Sequence, residues 1–279
     1  MALFEFKLHD IENIEPWTEY RDGKSSEPKL NWFALTDGFY YMNVGNEQLF
    51  KCSKERMFKW KIECPEIDES QVYVDYFIVR LYEDLLEILP NILQPIPNVL
   101  QSLISTNKRH AEWFNPLNDF YVNSLDEENE LLVEKLYCNS TEWCDQRKLS
   151  TGHLQYSPDI FIWRHQDKIH IRWNSRTNSK DFQPWSSPHG EFQLSVESFI
   201  SEVTLFHNRL MKEMKERVQL IKNNNPVPKI KIDIKALIKE HNKREKSLKI
   251  ALSEKPYVKD FNEVIDALKQ LNRLRKLAS

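Results

Sequence analysis

Glycine is scarce in this 279-residue chain: Gly23, Gly38, Gly45, Gly152 and Gly190 are the only five, and no two lie closer than seven positions apart. A loop that cradles a phosphate needs clustered glycines, because only then can successive backbone N–H groups approach the anion. The spacing excludes a P-loop, a dinucleotide-binding fingerprint and a nucleophile elbow. Cysteine is nearly as sparse. Cys52, Cys64, Cys138 and Cys144 are too few for a disulfide framework at this length. Their separations of twelve and six residues match neither zinc-knuckle nor zinc-ribbon spacing. No apolar run approaches the roughly 20 residues that span a bilayer, and the longest, over residues 85–103, is broken by Pro90, Pro95 and Pro97. The N-terminal segment alternates and carries charge early, unlike the apolar core of a signal peptide. We expect a reduced, cytoplasmic protein with no metal and no cofactor.

What the chain does have is an ordinary globular composition, 41% apolar and 29% charged, with 12% aromatics to build a core. Its net charge of -3 hides an asymmetry. Residues 200–279 hold 19 Lys and Arg against 10 Asp and Glu, and residues 1–199 hold 20 against 32. The pattern suggests an acidic α+β body over 1–194 and a basic helical region over 195–279 packed on it as one integrated unit. The two charge sets either pair with each other or face an outside partner.

The first half reads as β-rich. Phe4, Phe6 and Leu8 alternate as a strand. Residues 30–50, LNWFALTDGFYYMNVGNEQLF, read as a meander, with Asp37-Gly38 as a hairpin-type turn and residues 48–52 as the next strand. Helices are expected over 74–89, stopped by Pro90, over 97–105, and over 126–147, where acids at the start suit the helix dipole. A second hairpin, IFIWRHQDKIHIRW, turns at residues 165–168. Its first strand is apolar on both faces, and its second has one apolar and one basic face. From Ser195 a stripe from Val196 to Ile221 marks a long helix, broken by residues 223–228; further helices follow over 233–252 and after Asp260, with Glu263 completing a capping box. The fold class is therefore α+β: antiparallel hairpins packed with helices, then a helical C-terminal region.

Individual motifs yield little chemistry. Pro158-Asp159 opens a hairpin in the manner of restriction-type nucleases, but the acid-x-Lys expected on the next strand is replaced by Asp167-Lys168 with no residue between. His165 and His170 have no spacing that favours a shared metal. The rings of the 30–50 meander fit sheet packing, since the only charges there are Asp37 and Glu47, whereas a nucleic-acid stacking platform interleaves cations. Lys229, Lys231, Lys235, Lys239, Lys243, Lys246 and Lys249 form a stripe that suits either phosphate binding or a solvated helix face.

Several blocks carry a family resemblance: Phe4-x-Phe6-x-Leu8, Pro16-Trp17, Leu30-x-Trp32-Phe33-x-Leu35-Thr36-Asp37-Gly38, Val74-Asp75-Tyr76 and Arg80-Leu81-x-Glu83-Asp84. Trp143, Arg147, Leu149, Thr151-Gly152, Leu154, Pro158, Trp163 and Trp173 continue it. Together they resemble an uncharacterised bacterial family, domain of unknown function family 5984. The resemblance implies one integrated architecture and no activity, and it carries over no catalytic residue.

The expectation from residues alone is a non-enzymatic immunity protein that binds and neutralises a cognate, basic toxin domain in the cytoplasm. Glu66, Asp68, Glu69, Asp126, Glu127, Glu128 and Glu130 are the candidate partner-binding acids, since acidic clusters steer basic partners. The alternatives are a nucleic-acid-associated defence or regulatory factor using the lysine stripe, and an enzyme with a cryptic hydrolytic site drawn from Asp37, His153, Asp159 and His170.

Overall fold

The alternation of Phe4, Phe6 and Leu8 does form a strand, β1 (Phe4–Leu8), with those three side chains buried. The computed structural model describes residues 2–17, 20–21, 24–25, 28–65, 72–123, 130–175, 182–258 and 260–278. In chain order the elements continue with β2 (Tyr20–Arg21), β3 (Lys24–Ser25), β4 (Gly38–Val44), β5 (Glu47–Leu49), α1 (Lys54–Glu63), β6 (Val74–Asp75) and α2 (Ile78–Leu93). The middle of the chain gives α3 (Asn98–Ile104), α4 (Asn107–Asn123), α5 (Glu130–Asp145), β7 (Lys148–Leu149), β8 (Asp159–His165), β9 (Lys168–Asn174) and β10 (His189–Ser195). The last elements are α6 (Val196–Asn223), α7 (Ile234–Arg244), α8 (Ser247–Ser253) and α9 (Phe261–Ala278). The architecture is α+β with antiparallel sheets and a helical C-terminal region. No described helix is long and apolar enough to cross a membrane.

The chain forms two compact units, each built from discontinuous segments. The first comprises Met1–Glu87, Ser175–Pro188 and Glu197–Ser253. Its sheet is organised around β4, which pairs with β1 on one side and with both β5 and β6 on the other. The β4–β5 hairpin turns at Gly45-Asn46, where Gly45 takes a φ of 66° that its missing Cβ permits. Helix α6 lays its apolar stripe on this sheet. Phe206 stacks on Phe4 at 5.2 Å and meets Phe6 at 5.7 Å and Tyr82 at 5.8 Å. Beside them Tyr82 Oη and His207 Nδ1 share a buried hydrogen bond of 2.7 Å, so each satisfies the other.

The second unit comprises Ile88–Asn174, His189–Val196 and Glu254–Ser279. Its sheet runs β10-β9-β8-β7, antiparallel throughout. A helical layer of α3, α4, α5 and α9 shares a core with it that includes Trp113, Trp143, Phe161, Trp163 and Leu271. The basic face expected of β9 is not solvated. Arg172 is 1% exposed; its Nη1 donates to the carbonyls of Ile104 (3.0 Å) and Thr106 (2.9 Å), and its guanidinium lies over the Phe161 ring at 4.6 Å. Ile104 ends α3, where C=O groups lack helical partners and carry partial negative charge, and the Thr106 carbonyl, which also accepts from the His110 N–H, adds a second acceptor; together they take the place a carboxylate would have had.

Three further expectations meet a different structure. Residues 74–75 are strand rather than helix: Val74 and Asp75 pair with Tyr40 and Phe39, as β-branched and aromatic residues beside an open sheet edge favour. Pro90 does not stop α2, which continues to Leu93 because Leu89 and Ile92 in that last turn are fully buried. The helix expected over 233–252 is interrupted between α7 and α8, where the Lys246 N–H bonds back three residues to Lys243. Helices α1 and α4 were not legible from the pattern, and Pro116 lies inside α4.

The charge asymmetry along the chain closes within the first unit. That unit holds 25 Lys and Arg against 26 Asp and Glu, because the acidic segment 1–87 folds together with the basic segment 197–253. Arg209 Nη1 reaches Glu5 Oε2 at 2.7 Å, and Arg244 Nη1 reaches Glu83 Oε1 at 2.6 Å.

Asp84 is a buried acid of this unit with an incomplete set of partners. It is 2% exposed, its Oδ1 meets Arg80 Nη2 at 3.2 Å, and Oδ2 has no hydrogen-bond partner among the described residues. Burial pushes its carboxyl up to about 6, against the pull of Arg80. A carboxyl raised on folding contributes stability below its unfolded value and loses it as pH rises through the folded one. Asp84→Asn is therefore expected to stabilise the protein by about 2 kcal/mol at pH 8, the half-exposed Arg80 being free to rehydrate. The gain should vanish at pH 4, as urea denaturation at the two pH values would show.

Candidate metal centre

Strand pairing in the first unit gathers three ligand-type side chains that are far apart in sequence. β1 ends opposite the start of β4, with Leu8 across from Gly38, and β6 lies on the other side of β4 with Asp75 across from Phe39. His9, Asp37 and Asp75 therefore emerge together at one edge of the sheet. Two backbone bonds hold the edge: His9 N–H donates to Asp37 O, and Tyr76 N–H donates to Gly38 O, both at 2.9 Å.

This pairing depends on Gly38. A Cβ there would fall inside van der Waals contact with the Lys7 carbonyl oxygen and 2.8 Å from Leu8 Cα. Glycine is required here by the close approach of β1, not by a hairpin turn as the sequence suggested. Asp37 instead closes a short 3-10 turn, Ala34–Thr36, whose Thr36 hydroxyl donates to Phe33 O at 2.7 Å and accepts from the Val79 N–H at the start of α2.

One ligand-type atom from each of His9, Asp37 and Asp75 lies within 4.8 Å of the others. His9 Nε2 is 2.8 Å from Asp75 Oδ1, and Phe39 holds the imidazole edge-on at 4.6 Å. The three face a cleft of about 610 Å³. Glu15 and Trp17 line its other side, and Trp17 packs edge-on against Phe33 and Phe77 at 6.2 Å each. Behind the cluster, Arg217 of α6 donates to the carbonyls of Leu35 (2.9 Å) and His9, tying together the two segments that carry His9 and Asp37. Burial pushes the Asp37 carboxyl above the usual carboxylate range and the neighbouring Asp75 pushes it further; His9, the Gly38 N–H and Arg217 pull the other way.

The donor set is one imidazole and two carboxylates, which suits a first-row divalent cation such as Mn²⁺ or Zn²⁺. Neighbouring ligands of a cation at about 2.1 Å stand roughly 3 Å apart, and His9 with Asp75 already meets that separation. Asp37, with an oxygen within 4.8 Å of ligand atoms of the other two, would supply the third ligand. A cation would also relieve the repulsion between the two carboxylates.

The other acids and histidines singled out in the sequence do not converge on one site. Asp159 and His170 lie on neighbouring strands, but Asp159 stands opposite Asn174 and His170 opposite Trp163. Four residues of register, about 13 Å, separate them. Asp159 is ion-paired with Lys148, His170 stacks on Trp163 at 5.2 Å, and His165 shares a 2.8 Å hydrogen bond with Asn98 Oδ1. His153 also belongs to the second unit, whereas Asp37 belongs to the first. Of the acidic partner-binding candidates, Glu130 is the exposed first residue of α5; Glu66, Asp68, Glu69, Asp126, Glu127 and Glu128 lie outside the described residues. The lysine stripe over 229–249 is exposed. His9 and Asp75 went unrecognised in the sequence, the first because it follows a strand by one residue, the second because residues 74–89 read as a helix.

Residues 3–267 match the model of a family of unknown function, DUF5984, and the chain belongs to that family. Comparisons with curated proteins and with solved structures give no match.

Gly38→Ala should force β1 off β4 and destabilise the protein by about 3 kcal/mol in urea denaturation, as overpacking against backbone does. Gly152, whose added Cβ would meet nothing within 4 Å, is the control, and Gly152→Ala should stay within about 0.5 kcal/mol.

Proposed function

We propose that the protein acts by binding, with a divalent cation held by His9, Asp37 and Asp75 as the bridge to an acidic or phosphate group of its partner. The observation that carries this reading is the convergence of three ligand-type atoms within 4.8 Å at the mouth of a cleft. Three protein ligands leave coordination positions open, and an incoming oxygen can fill them. The exposed Trp17 beside the cluster offers an apolar contact surface for the same partner.

The biological role we attach to this binding is neutralisation of a toxin in the cytoplasm, in the manner of an immunity protein. The glycine-poor sequence supports a binding role, since it provides no phosphate loop or nucleophile elbow for turnover. A second reading, metal-assisted hydrolysis, rests on Glu15. It lines the same cleft, where a carboxylate can act as general base toward a metal-bound water.

Titration calorimetry of chelator-treated protein with Mn²⁺ and Zn²⁺ tests the cation site. One saturable site is expected at pH 7.5, with affinity falling by roughly tenfold or more at pH 5, because ligands must shed protons to bind. Asp75→Asn and His9→Ala should abolish it, and Asp37→Asn should remove it while raising the Tm of the metal-free protein at neutral pH. The last effect follows in sign from Asp37, whose raised pKa makes its ionised form a cost to folding. Absence of saturable binding by either ion would end the proposal. The immunity role has its own test. If the protein encoded beside this one neither arrests growth when expressed alone nor is silenced by co-expression, that role is withdrawn while the cation site stands.

A further inference from the structure

The second unit carries an apolar trough with a cationic rim. Val99 and Leu103 of α3 face Ile265 and Leu268 of α9 across a space of about 650 Å³, edged by Arg273 and Arg275. Val99 is 55% exposed, and the two arginines have no carboxylate partner among the described residues. The volume falls within the roughly 300–1,000 Å³ that holds a small group of side chains or a ligand. Its chemistry asks for an apolar anchor flanked by negative charge. A nucleic acid fits poorly, because base stacking needs an exposed aromatic face and the trough's ring, Trp113, is 9% exposed.

The complementary surface is on the same chain. Helix α5 opens with Glu130-Leu131-Leu132, where Leu131 is 81% exposed and Leu132 47%. Glu130 and Glu134, one turn apart and both exposed, lie together on one side of Leu131, with the exposed Lys135 on its other side. An exposed leucine with two carboxylates along one side complements the trough: apolar anchor for apolar floor, carboxylates for guanidinium groups.

We propose that the trough receives the start of α5 from a second copy of this chain. Helices α5 and α9 contribute to one core, so neighbouring helices carry the two halves of the contact. A single two-fold operation can then fill both troughs at once, giving a closed dimer. The helix-in-groove mode seats an apolar anchor of a helix in a groove; Leu131 is that anchor, and Leu132, about 100° further round the helix, borders it. One leucine anchor per trough buries much less than the roughly 1,200–2,000 Å² of stable complexes, so association is weak, concentration-dependent and sensitive to salt.

Analytical ultracentrifugation of the full chain is the test. Monomer is expected below about 10 μM, with the weight-average mass rising toward twice 33.4 kDa as concentration approaches the millimolar range at low salt. Leu131→Gln and Arg273→Glu should each weaken association by roughly tenfold or more, with unchanged circular dichroism. Glu130→Arg combined with Arg273→Glu should restore it. A monomer throughout the range overturns the proposal, as does self-association that ignores Leu131→Gln or assembly that grows past the dimer. If the two single variants weaken association but the charge-swapped pair fails to recover it, the pairing of Glu130 with Arg273 is wrong and the proposal falls in that form.

Discussion

The close approach of β1 to β4 at Gly38 is the constraint on which the first unit depends. Among the described residues β4 is the strand of that sheet with named strands on both sides, so an error in its position is passed to β1, β5 and β6 alike. The absence of one Cβ lets Leu8 settle opposite Gly38, which in turn sets the register that buries Phe4 and Phe6 under Phe206. The same register brings His9 out beside Asp37. Core packing and ligand placement are thus two consequences of one backbone separation, and neither can be adjusted without the other.

Electrostatics follow from the way the chain is distributed. Along the sequence the acidic and basic halves look like surfaces waiting for partners, but the first unit takes segments from both and ends near neutrality. Arg209 to Glu5 and Arg244 to Glu83 are the visible links. Such part-exposed pairs contribute little stability individually; their effect is to remove a long-range field that would have steered a highly charged partner. What remains for recognition is local, a carboxylate–imidazole cluster in one unit and a cationic rim in the other.

Much of the architecture was legible because period and breakers are local signals. The α6 stripe from Phe199 to Ile221, the β8–β9 hairpin and the Asp260 cap, which accepts from the Asn262 N–H, need only neighbours in sequence to be read. Residues 74–75 misled because a strand of two residues has no period, and its identity comes from β4, some 35 positions earlier. Pro90 misled for a related reason: the burial of Leu89 and Ile92 that carries α2 past it is a tertiary effect. The metal-type cluster was the least legible part. Asp37 was singled out, but His9 and Asp75 acquire their meaning only through pairing, since no spacing of 28 and 38 residues belongs to a known ligand pattern.

Buried arginines make a parallel point in the second unit. Arg147 and Arg172 are almost wholly inside, and the acceptors shown for them are the Trp143, Ile104 and Thr106 carbonyls and the Gln94 amide. A guanidinium removed from water without a carboxylate would ordinarily be costly. Here the Ile104 and Trp143 carbonyls lie in the last turns of α3 and α5, where the peptide dipoles concentrate negative charge and C=O groups lack helical partners, while the Thr106 carbonyl also accepts from the His110 N–H of α4. Arg172 thereby ties the end of α3 to β9, and Arg147 closes the end of α5 while its own carbonyl accepts the Ile162 N–H of β8. Replacing Arg147 with lysine would keep the charge but lose the fork whose two nitrogens reach the Trp143 carbonyl and the Gln94 amide oxygen at once, so geometry more than charge holds this corner in place.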